Sequence, residues 1–279
     1  MTPNFQAIDV ILCTANRDSA GLLQSLQSIQ ESTCKDIRVL LVNDSANPLP
    51  TNLPCGAINI RILDIGANVG LTLALKAAEP LLTAPWVARM DCGDSMYPDR
   101  LERQRDFLLR NPNCVLVGAR SKFLVHNGSR VQQMGFSSSS DDIPDLGQYL
   151  LWRNPFVHGS IMFRRTDFLA VGGYDPRYAI AQDFNLYMRM RMLGELHILP
   201  DVLYTHTFNL NGSNTVKKNK ASLASSLRSR VTLSTARERF TPMFLIGVLR
   251  DLLLLMLPAK FLAWLRFGLH LSGDKRDTH

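Results

Sequence analysis

Two aspartates three positions apart, Asp91 and Asp94, follow the apolar run Trp86 to Met90 and precede Pro98-Asp99-Arg100-Leu101-Glu102-Arg103-Gln104, which reads as the opening of a helix. This spacing puts both carboxylates on a tight turn at a strand end, the edge at which α/β proteins keep their chemistry. Carboxylates so placed converge on one divalent cation, and a hard cation with oxygen ligands neutralises a diphosphate leaving group. A solvated turn capping a helix has the same local sequence, because Asp favours turns and N-caps alike. Asp183 follows Ile180-Ala181-Gln182 and opens Phe184-Asn185-Leu186-Tyr187-Met188-Arg189-Met190. There it is either an N-cap or a general base that takes a proton from an acceptor hydroxyl. Asp44 closes the apolar run Ile37 to Val42. A carboxylate at that end can accept the imide N–H of uracil while Arg17 faces a phosphate or ring, or it can form an Asx turn.

The elements that must position these acids alternate. Val10 to Thr14, Ile37 to Val42, Ile60 to Leu63 and Trp86 to Met90 read as buried strands. Leu22, Leu23, Leu26 and Ile29 recur at helical spacing, and Leu71 to Leu82 reads as a second helix. Strands alternating with helices imply right-handed crossovers and a mostly parallel sheet. The ends of the first two strands, with the loop Thr14 to Asp18 and Asp44, then share one edge. Beyond Pro98 a helix runs to Arg110, and Val115 to Ala119 and Ser160 to Arg164 read as strands. A helix covers Phe184 to Leu193, and Leu196 to Leu199 and Val202 to Thr205 are strands around Pro200. Val125 to Gly147 reads as loop with no legible pocket code, and no internal repeat is present.

The chain has 279 residues, 46% of them hydrophobic, enough for one large α/β domain with appendages. A formal charge of +7 arises largely in the last third, between Lys217 and Arg276. That asymmetry points to a membrane face or phosphorylated substrates rather than a nucleic-acid groove. Five cysteines without a Cys-x-x-Cys pair indicate neither a disulfide framework nor a thiolate zinc site, which fits a reducing compartment. Thr2 to Asp9 is polar and the run after it is too short for a signal peptide, so the expected location is cytoplasmic. From Phe244 the chain turns apolar, broken by Arg250, Asp251, Lys260 and Arg266, so no window reaches the roughly 18 apolar residues of a membrane span. Placed on a helix, the four charges cover about two thirds of the circumference and leave a narrow apolar face. Two helices in a bilayer interface or packed on a partner fit that pattern, as does an ordinary helical pair covering the core.

The segment Ile62-Leu63-Asp64-Ile65-Gly66-Ala67-Asn68-Val69-Gly70 resembles the first motif of S-adenosylmethionine-dependent methyltransferases. That motif follows the first strand of its domain, whereas two strand units precede this one. No G-x-G-x-x-G follows the first strand either, which argues against a dinucleotide cofactor.

The ordered set of motifs resembles the inverting, family-two glycosyltransferases of GT-A fold. Val10-Ile11-Leu12-Cys13-Thr14-Ala15-Asn16-Arg17 is similar to their opening strand and nucleotide loop, and Val39-Leu40-Leu41-Val42-Asn43-Asp44-Ser45 to their second strand. Asn68-Val69-Gly70-Leu71-Thr72-Leu73-Ala74-Leu75 through Ala88-Arg89-Met90-Asp91 is similar to the segment leading into their Asp-x-Asp motif. His158-Gly159-Ser160-Ile161-Met162-Phe163-Arg164-Arg165, Val171-Gly172-Gly173-Tyr174-Asp175 and Gln182-Asp183-Phe184-Asn185-Leu186 are similar to the acceptor-side half. The resemblance covers residues 8–208.

It implies that Thr14, Asn16, Arg17, Asp44, Asn68, Arg89 and Asp91 hold the nucleotide sugar, that Asp91 holds Mg or Mn with Asp94 or water completing the shell, and that Asp183 is the base. His206 lies near where some relatives place a histidine that touches the diphosphate or metal. Two positions depart from the family pattern: Gly93 stands where the second metal-binding aspartate falls, and Gln182 replaces the usual Glu. These departures keep open a nucleotide-sugar-binding protein without catalysis. Processive members carry Gln-x-x-Arg-Trp and several spanning helices, and the chain shows neither, so one sugar per encounter is expected. The expected protein is a glycosyltransferase with a GT-A domain over residues 1–240 and apolar, basic helices over 241–279. It would use a UDP-linked donor and a saccharide or lipid-linked acceptor, on the inner face of a membrane, with no nucleic-acid partner.

Overall fold

The structure, a computed structural model, describes residues 6–15, 18–54, 58–127, 130–209 and 215–258. Its first half is the expected alternation: β1 (Ile8–Thr14), α1 (Ser19–Gln30), β2 (Ile37–Asn43), β3 (Asn59–Asp64), α2 (Leu71–Ala78) and β4 (Trp86–Asp91). Every residue of β1 is buried, as a strand covered on both faces requires. Ile8, Val10 and Leu12 face Leu22, Leu26 and Ile29 of α1, while Ile11 and Cys13 face Ala74, Leu75 and Ala78 of α2. Full burial of each such leucine or isoleucine contributes about 1.5–3 kcal/mol, which is why a strand without polar alternation sits at the centre. α1 opens on Asp18, whose carboxylate accepts the Gly21 amide at 2.9 Å.

β3, β2, β1 and β4 are parallel neighbours in that order, and the register pairs Cys13 with both Val42 and Asp91. Thr14, Asp44 and Asp91 therefore emerge on one edge of the sheet.

Beyond β4 the sheet becomes mixed. β5 (Ser95–Met96), α3 (Arg100–Arg110), β6 (Cys114–Asn127), β7 (Arg130–Phe136), α4 (Leu146–Tyr149), β8 (Met162–Arg164), α5 (Arg165–Ala170), α6 (Gln182–Met190), β9 (Glu195–Asn209), α7 (Thr215–Leu233) and α8 (Pro242–Met256) follow. β8 is antiparallel to β4 and β6, β9 is parallel to β6, and β5 runs antiparallel to β9. β9 is one strand where two were expected. Pro200 is accommodated where the register with β6 shifts, between Ala119 and Ser121, because a proline cannot donate to the ladder. Part of the segment read as loop is the β6–β7 hairpin pairing, Lys122 to Asn127 against Arg130 to Phe136.

The end of the described chain corrects the expected charge distribution. α8 docks through Phe244, Gly247 and Asp251. Asp251 is fully buried and paired with Arg230 of α7, also buried, and with Arg250 at 2.6 Å. Asp251 is thus an inward anchor, and its charge is absent from the outer face. A Cβ at Gly247 would lie 2.2 Å from the Leu151 carbonyl oxygen, so the helix lies directly on the backbone after α4. Leu245, Ile246, Leu249, Leu252, Leu253 and Met256 point to solvent. At 100° per residue they fill an arc of about 120° opposite the docked face, so the exposed apolar face is broad. Lys260, Arg266 and the apolar stretch Phe261 to Leu271 lie outside the described residues. No helix among the described residues is long and apolar enough to cross a membrane.

Candidate active site

At the edge where β1, β2 and β4 end, Asp44 is buried and turned toward the chain that precedes α2. Its Oδ1 accepts the Val69 amide at 2.6 Å, its Oδ2 the Gly70 amide at 3.0 Å, and its carbonyl accepts Asn68 Nδ2 at 2.9 Å. The glycine-bearing segment that resembles a methyltransferase motif is therefore a turn clamped by a neighbouring strand end, and it needs no methyl donor. Thr14 is buried beside it and accepts from the Cys92 thiol at 3.6 Å, tying the end of β1 to the acidic turn. Asn16 and Arg17 lie outside the described residues.

The acidic turn is built from buried polar parts. Arg89 and Asp91 stand two apart on β4 and share a face. Arg89, 1% exposed, donates to Asp91 Oδ1 at 2.8 Å, to the Ile11 carbonyl at 2.8 Å and to the Met90 carbonyl. Burial works against its charge, but Asp91 and its other neighbours outweigh that and hold the guanidinium above its ordinary range. Burial likewise opposes ionisation of Asp91, yet Arg89, then His158 and His206, leave its carboxyl below the ordinary range. Beneath the pair, buried Arg100 donates to the Arg89 carbonyl at 2.9 Å and to Gln104, and burial brings its guanidinium down to about 10.

Gly93 has φ +92°, in the left-handed region where a side chain is strained, so the chain turns here without a carboxylate. Ser25 of α1 fixes the turn: its Oγ accepts the Gly93 amide at 3.0 Å and donates to the Asp94 carbonyl at 2.8 Å. Asp94, 2% exposed, accepts at Oδ2 from Tyr204 Oη (2.6 Å) and His206 Nδ1 (2.8 Å), and at Oδ1 from the Thr207 amide (2.9 Å). Burial pushes its carboxyl up, against those hydrogen bonds. Two carboxylates on one turn are thereby driven in opposite directions.

One ligand atom each from Asp91, Asp94 and His206 lies within 4.8 Å of the others, a donor set that fits a divalent cation. Within that set Asp91 is the more open carboxylate, 27% exposed, whereas both Asp94 oxygens already bind the protein.

Asp183 lies in the first turn of α6, half-buried, and Asn154 Nδ2 donates to its Oδ2 at 3.2 Å. The helix begins after Ala181, the one described non-glycine residue in the left-handed region (φ 60°), which costs about 1–2 kcal/mol. His158 stands between the two halves: burial first, then Arg89, pull its imidazole below the ordinary value, while Asp91 and Asp183 both oppose that. Its Nε2 meets Tyr174 Oη at 2.9 Å. Tyr174 is in turn held by Glu79, which accepts the Tyr174 amide at 2.7 Å.

The structure thus gathers Asp91, Asp94 and Arg89 around one turn, places Asp183 on α6 with Asn154 as its hydrogen-bond donor, and leaves Asp44 and Asn68 engaged with each other. Sequence reasoning missed Tyr204, Thr207, Ser25 and Asn154. Their partners lie 110, 113, 69 and 29 positions away, beyond any local pattern.

A curled, mixed sheet flanked by helices, with acids at the end of its fourth strand, is the GT-A architecture of nucleotide-sugar transferases. The mannosyltransferase PcManGT from Pyrobaculum calidifontis, solved with GDP-Man and Mn2+, superposes with a TM-score of 0.67 over 95% of this chain and 81% of its own, at 16% identity. S. aureus TarS with UDP-GlcNAc gives a TM-score of 0.57 over 84% and 72%, at 13% identity. In sequence, the family described as "Glycosyl transferase family 2" matches residues 9–172, and the chain belongs to it. The amylovoran biosynthesis glycosyltransferase AmsE of Erwinia amylovora is 30% identical over 203 residues, 70% of this chain and 73% of its own. An Escherichia coli enzyme named UDP-Gal:alpha-D-GlcNAc-diphosphoundecaprenol beta-1,3-galactosyltransferase is 25% identical over 194 residues, 67% of this chain and 68% of its own.

Proposed function

We propose that this glycosyltransferase moves one sugar at a time, with inversion, from a UDP-linked donor to a lipid-linked saccharide during assembly of a surface polysaccharide. The observation that carries the reading is the convergence of Asp91, Asp94 and His206, one ligand atom each within 4.8 Å of the others, at the end of β4, where Arg89 clamps Asp91. Inversion needs a base on the face opposite the leaving diphosphate, and Asp183, in the first turn of α6 with a single hydrogen bond from Asn154, is the carboxylate assigned to that role.

Asp91 and His206 would hold Mg or Mn, with Asp94 acting through its hydrogen bond to His206 Nδ1. Such a cation supplies neutralisation of the departing diphosphate. Arg89 keeps Asp91 ionised and aimed. Thr14, Asn16 and Arg17 would bind the nucleotide, with Asp44 and Asn68 shaping the floor of its pocket. Asp183 takes the acceptor hydroxyl proton as that oxygen attacks the anomeric carbon.

The reading places the enzyme on a membrane surface. Support comes from the outward face of α8, where Leu249 is 58% and Met256 83% exposed, beside exposed Phe240 and the basic Arg237 and Arg239. An apolar face bordered by positive charge matches an anionic lipid interface.

The test is calorimetric titration of UDP with and without manganese, followed by UDP release from a panel of UDP-hexoses. Manganese-dependent binding and release with at least one donor are expected. UDP binding indifferent to metal, without release, would instead support a binding module.

A further inference from the structure

We propose that Asn154 is the positioning residue for the Asp183 carboxylate; the proposal rests on Asp183 being the base. The two ends of its amide do different work. Asn154 Oδ1 accepts the Phe156 amide at 3.0 Å, which fixes the orientation of the group, and Nδ2 then donates to Asp183 Oδ2 at 3.2 Å. With one carboxylate oxygen held by a neutral donor, rotation of the carboxylate is restricted and Oδ1 is presented to the acceptor hydroxyl. Orientation of this kind is where a small displacement costs large factors in rate.

The segment carrying Asn154 is itself seated. The Trp152 and Arg153 amides donate to the Tyr149 carbonyl at 2.9 and 2.8 Å. Arg230 Nη2 donates to the Trp152 carbonyl at 3.3 Å, and Gly247 of α8 lies under Leu151. The C-terminal helical pair thereby supports the strap that holds the base. The Asp183 charge also acts on the buried titratable side chains Tyr174 and Tyr187 and on His158. Among these neighbours Asn154 is the one with a hydrogen bond to the carboxylate among the described residues.

The discriminating variant is Asn154→Asp. It keeps the size of the side chain and an oxygen for the Phe156 amide, but replaces the donor facing Asp183 with a repelling carboxylate. With UDP-galactose or UDP-GlcNAc and GlcNAc-diphosphoundecaprenol as probes, kcat should fall about tenfold to a hundredfold while donor KM and UDP affinity stay at wild-type values. In an Asp183→Asn background the same substitution should cost nothing further, since residues acting as a unit are non-additive. A second arm needs no turnover: the Asn154 side-chain amide signal, assigned by its loss in Asn154→Asp, should shift in the Asp183→Asn protein. A near wild-type kcat for Asn154→Asp, an equal loss in both backgrounds, or an unmoved amide signal would each overturn the proposal. Wild-type turnover of Asp183→Asn alone would overturn the base assignment instead.

Discussion

Asp94 and Asp183 are both aspartates at one site, and the fold treats them in opposite ways. Asp94 is 2% exposed and receives three hydrogen bonds from β9, whereas Asp183 is half-buried and receives one from Asn154. A saturated buried carboxylate gives its binding capacity to the fold, because its partners would otherwise be unsatisfied. A sparsely bonded carboxylate at a helix start keeps lone pairs for a substrate. Asp91 differs from both in carrying an ionic clamp, Arg89 on one oxygen, while remaining 27% exposed.

The sharpest break of that contrast is Asp183→Asn. Turnover should fall about a hundredfold or more, as removal of a general base does, with thermal stability close to wild type. Asp94→Ala should show the reverse hierarchy: a loss of about 2–3 kcal/mol in denaturant unfolding, from orphaning the buried Tyr204 hydroxyl and the half-buried His206 and Thr207 donors. Similar stability losses for both variants would dissolve the distinction. Asp44→Ala should cost about 1–3 kcal/mol by releasing the Val69 and Gly70 amides, seen as loss of hydrogen-exchange protection at the start of α2.

A smaller effect extends the comparison to the C-terminal helices. Glu238 binds Arg191 at 2.7 and 3.0 Å, and hydrogen bonds to that guanidinium bring its carboxyl down to about 2. A depressed folded value means stability that is fully present above the unfolded range near 4.5 and lost as pH falls toward 2. Glu238→Gln should therefore melt below wild type at pH 7 and converge with it near pH 2. Smallest in stability is Leu249→Glu, which should leave the melting temperature within a degree or two, because the residue is 58% exposed, yet sharply weaken sedimentation with anionic vesicles by removing apolar contact and adding a repelled charge.

Much of the donor half was legible because its strands are uninterrupted apolar runs. Ile37 to Val42 and Trp86 to Met90 end within a residue of β2 and β4, and the acids that follow share an edge through parallel register. The acceptor half was legible in order but not in support. β5 and β7 are short or polar, and α7 is rich in Lys and Ser, so none shows a hydrophobic period. The helical wheel of α8 counted Asp251 as surface charge, because its counter-ion Arg230 comes from another helix. Likewise, nothing local to Asp94 announces that Tyr204, His206 and Thr207 converge on it. Sequence periodicity reports which face is buried, and it is silent on which buried charge has found a partner.

The most direct test of the account is the anomeric configuration of the product. With an α-linked UDP-sugar as donor, the anomeric proton coupling of the transferred sugar should report a β linkage, made by attack from the side of Asp183. An α linkage would contradict direct displacement with Asp183 as base.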